Sequence, residues 1–314
     1  MVMDSESSRA AMAAESSSVE QQARKPFVTV IVPHFNDLAG LDLCLGDLEK
    51  QTWPRERFEI VVADNASPQG EAAVAKVIAG RARLVMVSER GAGPARNGGV
   101  AAARADILAF TDSDCRPEPE WLAAGMKALA GHDFVGGKVK VLVQDAARMT
   151  PAEAFESVFA FNNETYVKRQ SFTGSGNLFC PRAIFEAVGG FRTGVSEDVE
   201  WSWRACAAGY SLGYAPDAVV GHPARRTWTD LKLKARKLNT EVYGLFRMRP
   251  GGRVIWLGRS LALPLSAVAH TPRALRSPAL HGGGQKLMAV AMLFRVRLWR
   301  FAHAMVLPFT TRRS

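Results

Sequence analysis

Short apolar runs alternate with helical spacing through the first half of the chain. The runs are rich in β-branched residues, which is typical of strands buried on both faces. They lie at Phe27–Val32, which Pro33 ends, and at Phe58–Ala63, Arg83–Val87 and Ile107–Phe110. Between them, the leucines from Leu38 to Leu48 and the alanine-rich Ala95–Ala105 predict helices. This alternation predicts an α/β domain whose parallel sheet is covered on both faces.

The following part of the chain mixes both kinds of element. Apolar or extended stretches predict strands at Phe134–Val143 and Tyr210–His222. Helices are predicted at Pro151–Lys168, Pro181–Val188 and Glu197–Ala208, and Phe172–Asn177 is a glycine-rich loop. Two acids open the last of these helices, where the helix dipole favours negative charge.

The end of the chain predicts helices of a different character. Apolar residues recur every three or four positions in the basic Thr227–Arg247, and Val254–Ala269 and Leu287–Phe309 are largely apolar. Leu287–Phe309 is long enough to cross a bilayer. However, each of its three central arginines would cost about 2.5–3.5 kcal/mol to insert, against a gain of about 0.3–0.6 kcal/mol per Leu or Phe. We therefore expect this segment to lie in the membrane interface; packing on the domain with the arginines outward is the alternative.

The positive charge is concentrated in that tail. The 314 residues carry a formal net charge of +10, yet Asp230 and Glu241 are the only acids after Pro223. Such a split favours a tail that contacts a membrane surface or another polyanion, and not a nucleic-acid groove in the body. The chain is accordingly divided into a disordered leader at 1–25, an α/β domain at 26–224 and a membrane-associating tail at 225–314. Four scattered cysteines predict reduced thiols, without a disulfide framework or a zinc site.

Polar clusters follow three of the predicted strands. They are His34-Phe35-Asn36, Asp64-Asn65-Ala66-Ser67 and Asp112-Ser113-Asp114. The carboxyl ends of parallel strands meet at one edge of the sheet, where ligands bind. Asp112 and Asp114 could both reach a divalent ion there, because Mg²⁺ takes few protein carboxylates and completes its shell with water and phosphate oxygens. A solvated turn is the alternative, as is an Asx turn for Asp64-Asn65, whose oxygens could otherwise accept from a ribose or a base edge.

The glycine-rich segment Gly91–Gly99 leads into the second predicted helix. Its backbone amides and Arg96 could meet a phosphate or a nucleotide. The segment does not match G-x-G-x-x-G and follows the third strand, which argues against a dinucleotide-binding fold.

Together these motifs resemble those of the GT-A glycosyltransferases of family 2, from about Phe27 to His222. Val28–Asn36 is similar to the family's first strand and base pocket, and Val61–Ser67 to its uridine-contacting strand end. Gly93-Pro94-Ala95-Arg96-Asn97-x-Gly99 resembles its helix leader, and Asp112-Ser113-Asp114 its metal motif. The resemblance implies a GT-A nucleotide-diphospho-sugar transferase fold, with a Rossmann-like mixed, mainly parallel sheet and a basic helical C-terminal extension. It implies nucleotide-sugar contacts from Pro33, Phe35, Asn36, Asp64, Asn65, Arg96, Asp112 and Ser113.

The resemblance also implies roles for the second half of the domain. Asp198 of Ser196-Glu197-Asp198 would be the general base that takes the proton of the acceptor hydroxyl. The implied metal ligands are Asp112, Asp114 and His222, and the implied acceptor contacts are Gly176, Asn177, Glu197, Trp201 and Trp203. The alternatives are that the acids stabilise the helix N-terminus and that the histidine and the tryptophans pack in the core.

One departure from the family bears on the reaction. Processive members carry Q-x-x-R-W after this helix, whereas this chain has Trp201-Ser202-Trp203-Arg204. This departure favours the addition of a single sugar over processive polymerisation. Together with the resemblance, it leads us to expect a metal-dependent, inverting enzyme that uses Mg²⁺ or Mn²⁺ and moves one sugar from a nucleotide-diphosphate sugar, with a UDP-sugar as the expected donor. A glycan or a lipid-linked acceptor is expected at the cytoplasmic face of the bacterial inner membrane, in exopolysaccharide or cell-envelope glycan synthesis, with no nucleic-acid partner. A nucleotidyltransferase on a similar sheet and a non-catalytic membrane adaptor are the alternatives.

Overall fold

A computed structural model describes residues 27–310 of the chain, and the leader predicted at 1–25 lies outside them. The strands are β1 Val28–His34, β2 Phe58–Asp64, β3 Arg83–Met86, β4 Ile107–Thr111, β5 Arg116–Pro117, β6 Phe134–Leu142, β7 Asn177–Pro181 and β8 Leu212–Pro223. The helices are α1 Leu38–Leu48, α2 Glu71–Ile78, α3 Ala92–Ala102, α4 Trp121–Leu129, α5 Pro151–Phe159, α6 Asn163–Gln170, α7 Arg182–Val188, α8 Glu197–Ala207, α9 Trp228–Arg247, α10 Gly252–Leu275 and α11 Gly282–Thr310.

The strands form one mixed sheet in the order β3-β2-β1-β4-β7-β6-β8-β5. The four neighbouring strands β3, β2, β1 and β4 are parallel to one another, as the alternating pattern predicts. Strand β1 continues through Pro33 to His34, beyond its predicted end. The missing amide hydrogen of Pro33 is tolerated because β4 pairs with β1 only as far as Ile31, opposite Phe110.

The predictions for the second half need three corrections. Strand β7, antiparallel to β4 and β6, was not predicted: it fills the gap between the loop predicted to end at Asn177 and the helix predicted to begin at Pro181. The short strand β5 and the helix α4 were not predicted. The single helix predicted at Pro151–Lys168 is two helices, because the Asn162 side chain accepts from the amide of Thr165 and so begins α6.

The three helices of the tail pack on α5 and on one another. Tyr243, Trp256, Ala304 and Leu307 form a small core between them, and Trp256 Nε1 donates to the Ala304 carbonyl at 2.8 Å. Within residues 27–310, no helix combines the length and the apolar character that a membrane span requires. Helix α9 starts at a Thr227 cap and runs back along the α/β domain, which gives it a place beside the ligand-binding edge of the sheet.

Candidate active site

A cavity of about 910 Å³ opens at the carboxyl ends of β1, β2 and β4. It is lined by residues that follow these strands, by the N-terminus of α8 and by helix α9 of the tail. Two polar groups thus face a common space although they lie far apart in the sequence: the Asp112–Asp114 turn and Asp198. The contribution of α9 consists of Lys234, Lys237, Leu238, Glu241, Val242, Leu245 and Phe246.

The two aspartates after β4 have different partners. Asp112 Oδ1 accepts from Arg96 Nη2 at 2.5 Å, and Asp114 Oδ2 lies 3.4 Å from His222 Nε2. Burial raises the pKa of Asp114, although the nearby His222 opposes the rise. For Asp112, burial acts in the same direction but the charge of Arg96 outweighs it, so the pKa is lowered. Asp112 therefore carries a full negative charge at neutral pH.

His222 has the orientation of a ligand for a cation. Its Nδ1 lies 2.8 Å from the Pro223 carbonyl. A carbonyl oxygen only accepts, so Nδ1 carries a hydrogen and Nε2 is the ring atom directed at Asp114. With Nδ1 occupied in this way, Nε2 is the atom that could bind a cation beside the Asp114 carboxylate. The carboxylates and the imidazole thus suit a divalent cation, with Asp112, Asp114 and His222 as its candidate ligands.

Cys115 also lies within this group, since one potential ligand atom of each of Asp112, Asp114 and Cys115 falls within 4.8 Å of the others. Burial and the two neighbouring aspartates raise the pKa of the Cys115 thiol well above its ordinary value. The thiol is therefore neutral at physiological pH, and only a thiolate binds metals well.

Arg96 is a buried brace between the two acidic motifs. Its guanidinium donates to Asp112 and, at 3.0 Å, to Glu197 Oε1. Burial would lower the pKa of Arg96, but Asp112 and Glu197 together raise it, so the charge is permanent. Glu197, which the resemblance implies as an acceptor contact, forms an ion pair with Arg96 through its Oε1. Arg96 and Glu197 both line the cavity as well.

Asp198 lies at the N-terminus of α8, beside the loop of Gly174 and Gly176. Burial, followed by the charge of Glu197, raises its pKa to about 6. A third carboxyl group faces the same space from α9, because burial and the two acids of α8 raise the pKa of Glu241 to about 7 against the opposing charge of Lys237. No motif in the sequence selects Glu241, because only the packing of α9 on the cavity brings it near Asp198.

The expected base pocket is only partly formed by the expected residues. Pro33, Phe35 and Ser113 line the cavity, and the Phe35 ring, 48% exposed, lies 5.8 Å from the Arg90 guanidinium. Asn36 turns away, with φ of +55° and its side-chain oxygen bound to Gln69 Nε2 at 2.5 Å. The flat ring and the cation above it are suited to stacking on a nucleobase.

Two residues of the second polar cluster have structural tasks. Asp64 is fully buried and does not line the cavity; its Oδ1 binds His34 Nδ1 at 2.7 Å and Ser67 Oγ at 2.5 Å. The expectation that Asp64 contacts the nucleotide is therefore wrong for this arrangement, because every lone pair that it could offer is directed into the protein. Asn65 reaches the cavity but uses its amide to hold the loop before α3, with Oδ1 accepting from Gly91 at 2.7 Å.

Two expected acceptor contacts are also corrected. Asn177 is buried and fully paired: it accepts from Trp121 Nε1 at 2.9 Å and donates to the carbonyls of Lys138 and Ala218. Trp201 is 0% exposed and packs among phenylalanines in the core, as its alternative interpretation held. Trp203 does line the cavity, with the Arg249 guanidinium 5.3 Å from its ring. The two tryptophans are two positions apart and so point to opposite sides of α8, and the motif alone did not show which of them faces the cavity.

Comparisons with known proteins identify the family. The model of the family "Glycosyl transferase family 2" matches residues 29–189. The glycosyltransferase AglE of Haloferax volcanii is 33% identical over 208 residues, which are 64% of this chain and 68% of that protein. The pre-mycofactocin glycosyltransferase of Mycobacterium tuberculosis is 28% identical over 91% of this chain, which spans only 57% of that relative.

Solved structures show the same fold at lower identity. The mannosyltransferase PcManGT of Pyrobaculum calidifontis, in complex with GDP-Man and Mn²⁺, aligns over 93% of this chain and 89% of its own, with a TM-score of 0.62 and 22% identity. A TarS fragment of S. aureus in complex with UDP-GlcNAc aligns over 90% of both chains, with a TM-score of 0.51 and 17% identity. With the family match and the GT-A architecture together, this chain belongs to glycosyl transferase family 2 and is a glycosyltransferase.

Proposed function

We propose that this enzyme is a metal-dependent, inverting glycosyltransferase that moves one sugar from a nucleotide-diphosphate sugar. The observation that carries the proposal is the shared cavity: Asp112, Asp114 and His222 line it together with Asp198. Mg²⁺ or Mn²⁺, when bound by the first three, would supply the positive charge that a departing diphosphate needs. The proximity of His222 Nε2 to Asp114 Oδ2, at 3.4 Å, supports a cation there, because both atoms could bind the same ion.

Asp198 is the proposed base. With a pKa of about 6 it is mostly ionised at neutral pH and can take the proton of an acceptor hydroxyl. The acceptor oxygen would then bond to the anomeric carbon as the bond from that carbon to the diphosphate oxygen breaks. A single displacement of this kind inverts the anomeric configuration. Glu241 and Trp203 line the same side of the cavity, and we propose that they contact the acceptor.

The donor nucleotide is proposed from two solved relatives. One was solved with GDP-Man and the other with UDP-GlcNAc, so both nucleotides occur on this fold. Stacking between Phe35 and Arg90 suits either base. We retain a UDP-sugar as the expected donor, and exopolysaccharide or cell-envelope glycan synthesis as the proposed setting. The family assignment favours glycosyl transfer over nucleotidyl transfer or a non-catalytic adaptor.

A screen of nucleotide-sugars for slow, Mn²⁺-dependent hydrolysis tests this function. The variant Gly176→Ala tests the placement of the metal at Asp112. A Cβ added at Gly176 would lie 2.7 Å from Asp112 Oδ2, so the carboxylate must move away from its position against Arg96. We expect Mn²⁺ affinity and donor hydrolysis to fall roughly 10- to 100-fold, as when support around metal ligands is lost. Gly174→Ala is the matched control, because its Cβ would lie 3.8 Å from the nearest atom, Asp198 Oδ2. Equal Mn²⁺ affinities in the two variants would contradict the placement of the metal.

We further propose that helices α10 and α11 attach the enzyme to the cytoplasmic face of the bacterial inner membrane. Leu261, Leu265 and Val268 lie on one face of α10 and are exposed, the last two to 73% and 62%. Apolar side chains on a helix surrounded by arginines suit a membrane interface.

Flotation with vesicles that contain anionic lipid tests the attachment. Leu265→Glu combined with Val268→Glu should weaken binding about a hundredfold or more, because each buried apolar side chain is worth about 1.5–3 kcal/mol and about 1.4 kcal/mol is a factor of ten. Leu43→Glu is the control, since Leu43 is 50% exposed on α1, away from the tail. If the control variant lost as much vesicle binding as the tail variant, α10 would not be the attachment surface.

A further inference from the structure

Three arginines of the tail form a cluster that the catalytic roles above do not use. Arg259 lies on α10, and Arg297 and Arg300 lie on α11, where the tail helices pack together. Arg259 also lines the catalytic cavity, with its guanidinium 5.4 Å from the Phe246 ring. The cluster therefore begins at the wall of the active site and continues between the helices.

No negative charge balances this cluster. The sequence contains no acid after Glu241, and none of the three arginines forms an ion pair within residues 27–310. Burial, with the charges of Arg297 and Arg259 added, lowers the pKa of Arg300 to about 10. Arg297 Nε is buried and has no hydrogen-bond partner in the described part of the chain. Arg297 and Arg300 are half-buried and Arg259 is exposed at the cavity, so the positive charge of the cluster lies where an anion from solvent could reach it. Like charges held this close repel one another, and a bound anion would relieve the repulsion.

The cluster is also held in place by neutral groups. Asn239 of α9 is fully buried; its Oδ1 accepts from Arg300 Nε at 2.8 Å, and its Nδ2 donates to the Arg300 carbonyl at 2.9 Å. This contact fixes the direction of the Arg300 guanidinium without neutralising it. The outer nitrogens of Arg300 keep their hydrogens for another acceptor, as the paired donors of an arginine suit the oxygens of a phosphoryl group.

The lining next to Arg259 is apolar. Leu238, Val242 and Phe246 of α9 face the cavity between Asp198 and Arg259. An acceptor that fits both surfaces carries a phosphoryl group for the arginines and an apolar chain for α9. We propose that Arg259, Arg297 and Arg300 form a second anion site, which binds the phosphoryl group of an amphiphilic, lipid-type acceptor. The inference rests on the proposed transfer reaction for its acceptor role, but the site itself is testable without any transfer.

Binding of a short-chain alkyl phosphate to the full-length protein, measured by calorimetry without donor or metal, tests the site. Inorganic phosphate and the matching alkyl alcohol serve as the two half-ligands. We expect the alkyl phosphate to bind more tightly than either, and Arg259→Gln and Arg300→Gln each to weaken it about tenfold. Arg276→Gln, at the exposed end of α10, removes the same charge outside the cluster and should bind as the wild type does.

The outcomes separate the possible sources of the phosphoryl group. Equal affinity for alkyl phosphate and inorganic phosphate would overturn the amphiphilic acceptor. Wild-type affinity in both cluster variants would overturn the anion site itself. Because Arg259→Gln removes a charge from a repulsive group and breaks no hydrogen bond to Asn239, it should unfold at the wild-type or a higher urea concentration, so its weak binding would not reflect lost structure. Arg300→Gln also loses the bond to Asn239 Oδ1, so its binding is compared at the same fraction folded, measured by urea unfolding. A failure of donor hydrolysis would count against the proposed reaction and would leave these binding results unaffected.

Discussion

Asp198→Asn should reduce the rate of sugar transfer roughly 100- to 10,000-fold, the range over which a positioned general base accelerates proton transfer. Asparagine has nearly the same shape but cannot take the proton of the acceptor hydroxyl. Donor and Mn²⁺ binding should persist, because Asp198 is not among their proposed ligands. Asp217→Asn, an exposed position near β8's middle, is the control and should transfer sugar at the wild-type rate. A fully active Asp198→Asn would remove Asp198 from the mechanism.

The same residue predicts a pH dependence. Since the pKa of Asp198 is raised to about 6, the base is protonated below that pH, and the rate should fall as the pH decreases through about 6. The effect on stability has the opposite sense. A carboxyl group whose pKa is higher in the folded state binds protons more tightly there. Its contribution to the free energy of unfolding therefore declines as the pH rises from its unfolded pKa to about 6. Asp198→Asn should therefore unfold at no lower urea concentration than the wild type at pH 7, and its inactivity would not be due to unfolding.

Arg96→Met should be the most destabilising single change in the site. Arg96 is 4% exposed and is the shared partner of Asp112 and Glu197. Its removal leaves two carboxylates without a counter-charge, and breaking a buried pair in this way costs about 3–5 kcal/mol. Urea unfolding in the presence of a chelator measures the loss, because a bound metal would partly replace the missing charge.

Lys168→Met provides the comparison for Arg96→Met. Lys168 and Glu164 form an ion pair at 2.7 Å with both side chains more than half exposed, and such pairs contribute only about 0.3–0.5 kcal/mol. If both variants shifted the unfolding midpoint by similar amounts, Arg96 would not be the brace that joins the two acidic motifs.

Much of the fold follows from local patterns that the sequence displays openly. The parallel strands β1 to β4 are continuous apolar runs, and the Asp112–Asp114 turn lies where the end of such a strand places ligands. Strand β7 and the two-residue β5 carry weaker local signals, and their pairing is set by strands far away in the sequence. Periodicity cannot supply those partners.

The site residues show the same division between local and long-range information. The resemblance to the family implied roles for Asp198 and His222 beside Asp114, and the three side chains line one cavity. The burial of Asp64 by His34, and of Trp201 by Phe134 and Phe185, depends on contacts between elements and was not visible in the motif. The contribution of α9 was missed for a related reason: its basic, amphipathic pattern suits a membrane surface and a cavity wall equally well.

Helix α9 limits how the enzyme could work from a membrane. Lys234 Nζ and Arg225 Nη1 lie 2.8 and 3.3 Å from Glu156 Oε1, so the start of the tail is fastened to α5 by a buried carboxylate. A helix that also walls the cavity cannot swing away without opening it. The tail would therefore be a rigid attachment and not a flexible tether, and the distance of Asp198 from the bilayer would be constant. An enzyme attached to a membrane in this way would select acceptors by the distance of their hydroxyl group from the lipid surface.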